Sequence, residues 1–128
     1  MATKGKSYGL NAKDIDGCYE DLIHAISLQA AKDYVWARNY VSKHKAEYDE
    51  LLELYPERKD APLRIRDRMY TYEEAKWLIP ECERFFRGWW FETLEPGLDG
   101  EKMIRRLRRI SWESFKKRLK NVKKEEKE

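Results

Sequence analysis

From Cys18 to Tyr55 the chain runs 38 residues without a glycine or a proline, bracketed by Gly17 and Pro56. Apolar residues recur through it at Tyr19, Leu22, Ile23, Ile26, Ala30, Ala37, Val41, Tyr48, Leu51 and Tyr55. Steps of three, four and seven place one side chain above another on a helix face. The spacing predicts one long helix, or two nearly collinear ones, of up to about 57 Å. Asp14 or Asp16 is the expected N-terminal cap. Leu28, Ala31 and Val35 lie on the opposite face, so the helix is expected to have neighbours on two sides or to form a homodimer seam.

Two further helices are expected downstream. Thr71-Tyr72-Glu73-Glu74 reads as a capping box that opens the second. Its apolar stripe runs Ala75, Leu78, Ile79, Cys82, Phe86, Trp89 and Trp90, with Trp77 and Phe91 off the stripe. Those two are expected either to be exposed for a base or a partner, or to pack under the preceding linker. Pro80 is expected to kink this helix or restart it at Glu81. After the Pro96-Gly97 turn, Asp99 is the expected cap of a third helix, from Glu101 to about Lys124 and nicked near Ser111. Its stripe is Ile104, Leu107, Phe115, Leu119 and Val122.

The expected fold is all-α: a small helical bundle with one long N-terminal helix, a Pro-kinked aromatic-rich middle helix and a basic C-terminal helix. Residues 1–13 are expected to form a flexible arm, 14–124 a single helical domain and 125–128 a charged tail. No apolar run reaches the roughly 18 residues of a membrane span, and the first residues, MATKGKSYGLNAKD, carry no leader pattern. The expected location is the cytosol of the host cell. Cys18 and Cys82 form no CxxC pair, and buried thiols are expected there.

Charge is unevenly placed. The chain is 40% charged with a net +3, yet residues 102–128 hold 12 Lys+Arg against 4 Asp+Glu. Lys102, Arg105, Arg106, Arg109, Lys116, Lys117, Lys120, Lys123 and Lys124 fall on the reverse face of the last helix, where only Glu113 opposes them. A helix built for solubility mixes signs. Phosphate contact suits such a face, as does an acidic protein surface or plain solvation. Arg64, Arg66 and Arg68, in the expected linker Pro56–Met69, would pair with Asp49, Glu50 and Glu53 or touch phosphate. Asp33 and His44 lie on the long stripe, where a carboxylate needs a partner such as an arginine, and His24 is expected to be exposed. No metal-ligand spacing, Gly-rich phosphate loop, GxSxG, HExxH or Cys/His pair is present, so no cofactor, small-molecule substrate or catalysis is expected.

The segments DLIHAISLQAAKDY, ECERFFRGWWFETL and LDGEKMIRRLRR resemble small proteins encoded by phages and integrative elements of Gram-positive gut bacteria. The resemblance covers residues 17 to 109. Such relatives are expected to carry forms like ERFFRSxWF followed by DGxxLIxxLR, from which Gly88, Trp89-Trp90 and Pro96-Gly97 depart. The resemblance implies a mobile-element accessory protein and no enzymatic activity. Inhibitors of CRISPR nucleases are an analogous case. The leading expectation is a non-enzymatic binder of nucleic acid, or of a host nucleic-acid-handling complex, through Arg105, Arg106, Arg109, Lys116, Lys117, Lys120, Lys123 and Lys124, with Arg64, Arg66, Arg68 and Trp77 nearby. The alternative is a helical protein-interaction module that acts through the long helix, as a homodimer or on an acidic host protein.

Overall fold

The computed structural model describes Tyr19 and residues 22–127, with side chains as far as Lys120. The arm 1–13, the expected caps Asp14 and Asp16, Cys18, and the side chains of Val122, Lys123 and Lys124 lie outside the described residues. Among the described residues there are five α-helices: α1 (Ala25–Leu54), α2 (Leu63–Arg87), α3 (Trp89–Leu94), α4 (Gly100–Arg109) and α5 (Trp112–Lys127), with a 3₁₀ turn at Arg58–Asp60. The all-α bundle expected from the sequence is what forms.

Helix α1 is the central strut, about 45 Å long, and ends just before Pro56 as expected. It packs along α2 and also meets α4 and α5; its buried side is Ser27, Ala31, Tyr34, Val35 and Ala37, whereas Ile23 and Ile26 of the expected stripe are exposed. Its start differs from expectation. The helix begins at Ala25, with His24 at the cap position and no side-chain cap of its own. The buried carboxylate of Glu95 does that work from the far end of α3. It accepts the backbone N–H of Ile23 at 3.2 Å and of His24 at 2.9 Å, and lies 3.3 Å from His24 Nδ1. A carboxylate here also faces the positive end of the α1 dipole.

The capping box at Thr71 does not open a helix. Helix α2 begins eight residues earlier, right after Pro62, and Thr71 sits in mid-helix, its hydroxyl donating to the Asp67 carbonyl at 2.8 Å. Tertiary packing overrides the local signal. Met69 and Tyr72 are buried against α1 and extend the apolar stripe backwards, and Arg66 Nη2 donates to the carbonyls of Lys59 and Ala61. Nor does α2 restart at Glu81, for it runs through Pro80 to Arg87, with the proline ring on its exposed side.

The aromatic run after α2 is also inverted. Gly88 takes an extended conformation (φ −92°, ψ 169°) and ends the helix. That single non-helical residue rotates everything after it. Trp89 and Trp90, expected in the core, are 76% and 47% exposed, whereas Phe91 is fully buried. Phe91 meets Phe86 edge-on at 5.2 Å, and Tyr34 and Phe85 join the same cluster. Burying each such ring contributes about 1.5–3 kcal/mol.

Gly97 (φ 95°) makes the turn that returns the chain to α2. Asp99 caps α4 as expected, accepting from the N–H of Glu101 at 2.9 Å and Lys102 at 3.2 Å. Gly100 is required by a close approach. A Cβ there would lie 1.9 Å from the Phe86 carbonyl oxygen. The last helix is indeed nicked, at Ile110-Ser111, and Ser111 Oγ caps α5 by accepting from Ser114 N at 3.2 Å.

Candidate functional site

Helix α4 places its side chains on two clearly separated faces. Met103, Ile104 and Leu107 are buried in the core. Lys102, Arg105, Arg106 and Arg109 follow at steps of three, one and three, which on a helix is a single outward face. Arg108 falls between the two faces and is fully engaged. Its Nε donates to Tyr34 Oη at 3.0 Å, and its Nη2 to Glu83 Oε2 at 2.9 Å. Tyr34 in turn donates to Glu83 at 2.5 Å. This triad joins α1, α2 and α4 and fixes the rotation of α4. Burial opposes ionisation of Glu83, but the hydrogen bonds from Tyr34 and Arg108 outweigh it and hold the carboxyl below the usual carboxylate range. Burial and the Glu83 carboxylate raise the Tyr34 phenol.

The outward face of α4 lines a groove of about 660 Å³ between α4, the Ile110-Ser111 break and the first turns of α5, with Tyr19 alongside. Lys102, Arg105, Arg106, Arg109 and Arg118 bring five cations to its wall, and among the described residues no carboxylate lines it. Among the described residues none of Lys102, Arg105, Arg106 or Arg109 has an ion pair or a side-chain hydrogen bond, while Arg58, Arg68, Arg84, Arg87 and Arg108 each pair with a glutamate. These four like charges, held together without a counter-charge among the described residues, raise the local potential and attract an anion.

A second groove, of about 630 Å³, adjoins the first and shares Arg109, Ile110 and Ser111 with it. Its wall is aromatic: Trp36, Tyr40 and His44 from α1 and Trp112 from α5. The three α1 rings stand one helical turn apart, with centroids 5.3 Å and 4.3 Å between neighbours. Trp112 N–H on the backbone donates to Asn39 Oδ1 at 3.0 Å, which holds the start of α5 against α1.

The other residues singled out in the sequence scatter. Lys116 pairs with Glu113 at 3.5 Å and lies over the Trp112 ring, and Lys117 and Lys120 are exposed on α5. Arg64 is exposed on the first turn of α2. Arg66 serves backbone carbonyls, and Arg68 pairs with Glu47 of α1 at 3.0 Å rather than with Asp49, Glu50 or Glu53. Trp77 is 59% exposed on α2 and lines neither groove. Asp33 accepts from Gln29 rather than from an arginine, and His44 lies 3.3 Å from Glu47. Cys82 is a buried free thiol, and burial, reinforced by Asp33, Glu81 and Glu83, pushes it up to about 12. Arg118, Trp36, Tyr40 and Trp112 were not singled out from the sequence. Only Arg118 carried a signal, its place in the KKRLK run, and the ring groove forms from residues more than 70 apart.

Among the described residues no group of three or more His, Cys, Asp or Glu could hold a metal ion, and no helix is long and apolar enough to cross a membrane. The chain matches no protein-family model, no curated protein and no solved structure.

Proposed function

We propose that the protein is a non-enzymatic binder of nucleic acid that grips the phosphate backbone with the outward face of α4. The observation that carries this reading is the groove wall of Lys102, Arg105, Arg106 and Arg109, which among the described residues has no carboxylate, whereas Arg58, Arg68, Arg84, Arg87 and Arg108 each pair with a glutamate. Arginine suits the role because its planar fork donates two parallel hydrogen bonds to one phosphate. Exposed side chains around a concave wall let a polyanion reach several cations at once. The resemblance to phage and integrative-element proteins extends the reading to an accessory role against host nucleic-acid machinery, with inhibition of a defence nuclease as one form of it.

The test is a titration of labelled DNA and RNA between about 50 and 200 mM salt. Each phosphate neutralised releases counterions, so four cations on a single strand give a log–log slope near −3, at about −0.7 per phosphate. Binding that ignores salt, or no binding, rejects the reading. Pull-down from host lysate with and without nuclease treatment separates contact with nucleic acid from contact with an acidic protein, because only the former is lost on digestion.

A further inference from the structure

The cationic groove does not end at Arg109. It continues across the Ile110-Ser111 break into the aromatic groove, so a ligand lying along α4 is led past Trp36, Tyr40 and Trp112. We infer that this second groove is a base-stacking subsite, and that the nucleic acid bound is therefore single-stranded. The inference rests on the phosphate-binding reading above and specifies its substrate.

Three features support it. The residues that line both grooves include Arg109, a guanidinium placed to hold the phosphate between a base in one groove and the backbone in the other. The volume, about 630 Å³, lies within the roughly 300–1,000 Å³ range of small-ligand sites and leaves room for a splayed base. Finally, the wall combines half-buried rings with cations. Trp36, Tyr40 and Trp112 are held in place by packing, and Arg38 and Lys43 stand beside them. Among the described residues Glu113 is the one carboxylate on this wall, and Lys116 pairs with it. In a duplex the base faces are covered by their neighbours, and rings recessed in a groove cannot reach them. Only unstacked bases can lie on such rings, and stacking of this kind tolerates any sequence because every base has a π-face.

The experiment compares wild type and Trp36→Leu on a labelled single strand and on the matched duplex across the same salt series. Leucine keeps the apolar bulk and the helix propensity while removing the ring. Wild type is expected to prefer the single strand by about tenfold, and Trp36→Leu to lose about tenfold on the single strand with little change on the duplex and the same salt slope. A wild type that binds duplex as well as or better than single strand overturns the stacking subsite but leaves the phosphate reading standing. So does a folded Trp36→Leu, checked by circular dichroism, with undiminished single-strand affinity. No binding to either form overturns both. The strand preference is read on the unaltered protein, so a variant that fails to fold leaves the test intact.

Discussion

Two short stretches of this chain are rich in arginine and have opposite fates. RIRDR, at 64–68, lies alongside the acidic half of α1. There Arg68 meets Glu47, and Arg66 is absorbed by the carbonyls of Lys59 and Ala61. RRLRR, at 105–109, gives up one arginine in four: Arg108 joins Tyr34 and Glu83, while Arg105, Arg106 and Arg109 face a groove with no carboxylate on its wall among the described residues. The difference teaches that arginine density alone says little about binding. What decides is whether the bundle brings acids to the same surface, and among the described residues it brings them to α2 and not to the outward side of α4.

The comparison breaks most sharply under charge reversal. Arg105→Glu, Arg106→Glu and Arg109→Glu together are expected to weaken nucleic-acid binding by on the order of a hundredfold, because three phosphate contacts become repulsions. The equivalent pair in the other stretch, Arg64→Glu and Arg68→Glu, is expected to change affinity by less than about threefold, since these side chains lie outside the groove. Fluorescence anisotropy on both variants reads the contrast, and equal losses would erase it.

Next in size is a substitution that disturbs the platform rather than the charges. Gly100→Ala puts a methyl group into the Phe86 carbonyl. A loss of about 2–3 kcal/mol in denaturant unfolding is expected, at the upper end of overpacking costs. A neutral result would mean that α4 sits farther from α2 than described.

A smaller effect sharpens the comparison by removing the carboxylate that engages Arg108. Glu83→Gln leaves Arg108 without its carboxylate and is expected to cost about 1–2 kcal/mol. It also changes the acid limb of stability. The folded Glu83 carboxyl titrates below its ordinary value, so the stability it supplies is complete above the unfolded value of about 4.3 and is lost as pH falls through the lower folded one. Wild type is therefore expected to lose its margin over Glu83→Gln in that acid window, measured by urea unfolding against pH. The smallest effect is at the surface pair. Arg68→Gln is expected to cost less than about 1 kcal/mol.

How much of this was legible beforehand depends on how local the signal was. The charged face of α4 and the Asp99 cap were readable because each is set within a few residues. The nick at Ser111 was readable for the same reason. Trp89, Trp90 and Phe91 were assigned to the wrong sides because one extended residue, Gly88, resets the helical phase, and periodicity carries no record of that. Thr71 misled because a good capping box was overridden by burial of Met69 and Tyr72. The engagement of Arg108 depends on Tyr34, 74 positions away, and the ring groove on α1 meeting α5. Neither leaves a pattern along the chain.

The most direct measurement is the salt dependence of single-strand binding by wild type and by Arg105→Gln, Arg106→Gln, Arg109→Gln combined. Neutralising three phosphate contacts is expected to flatten the log–log slope by about two, at roughly 0.7 per contact, with the fold unchanged by circular dichroism. A slope identical to wild type would contradict the claim that the unpaired arginines of α4 hold the phosphates.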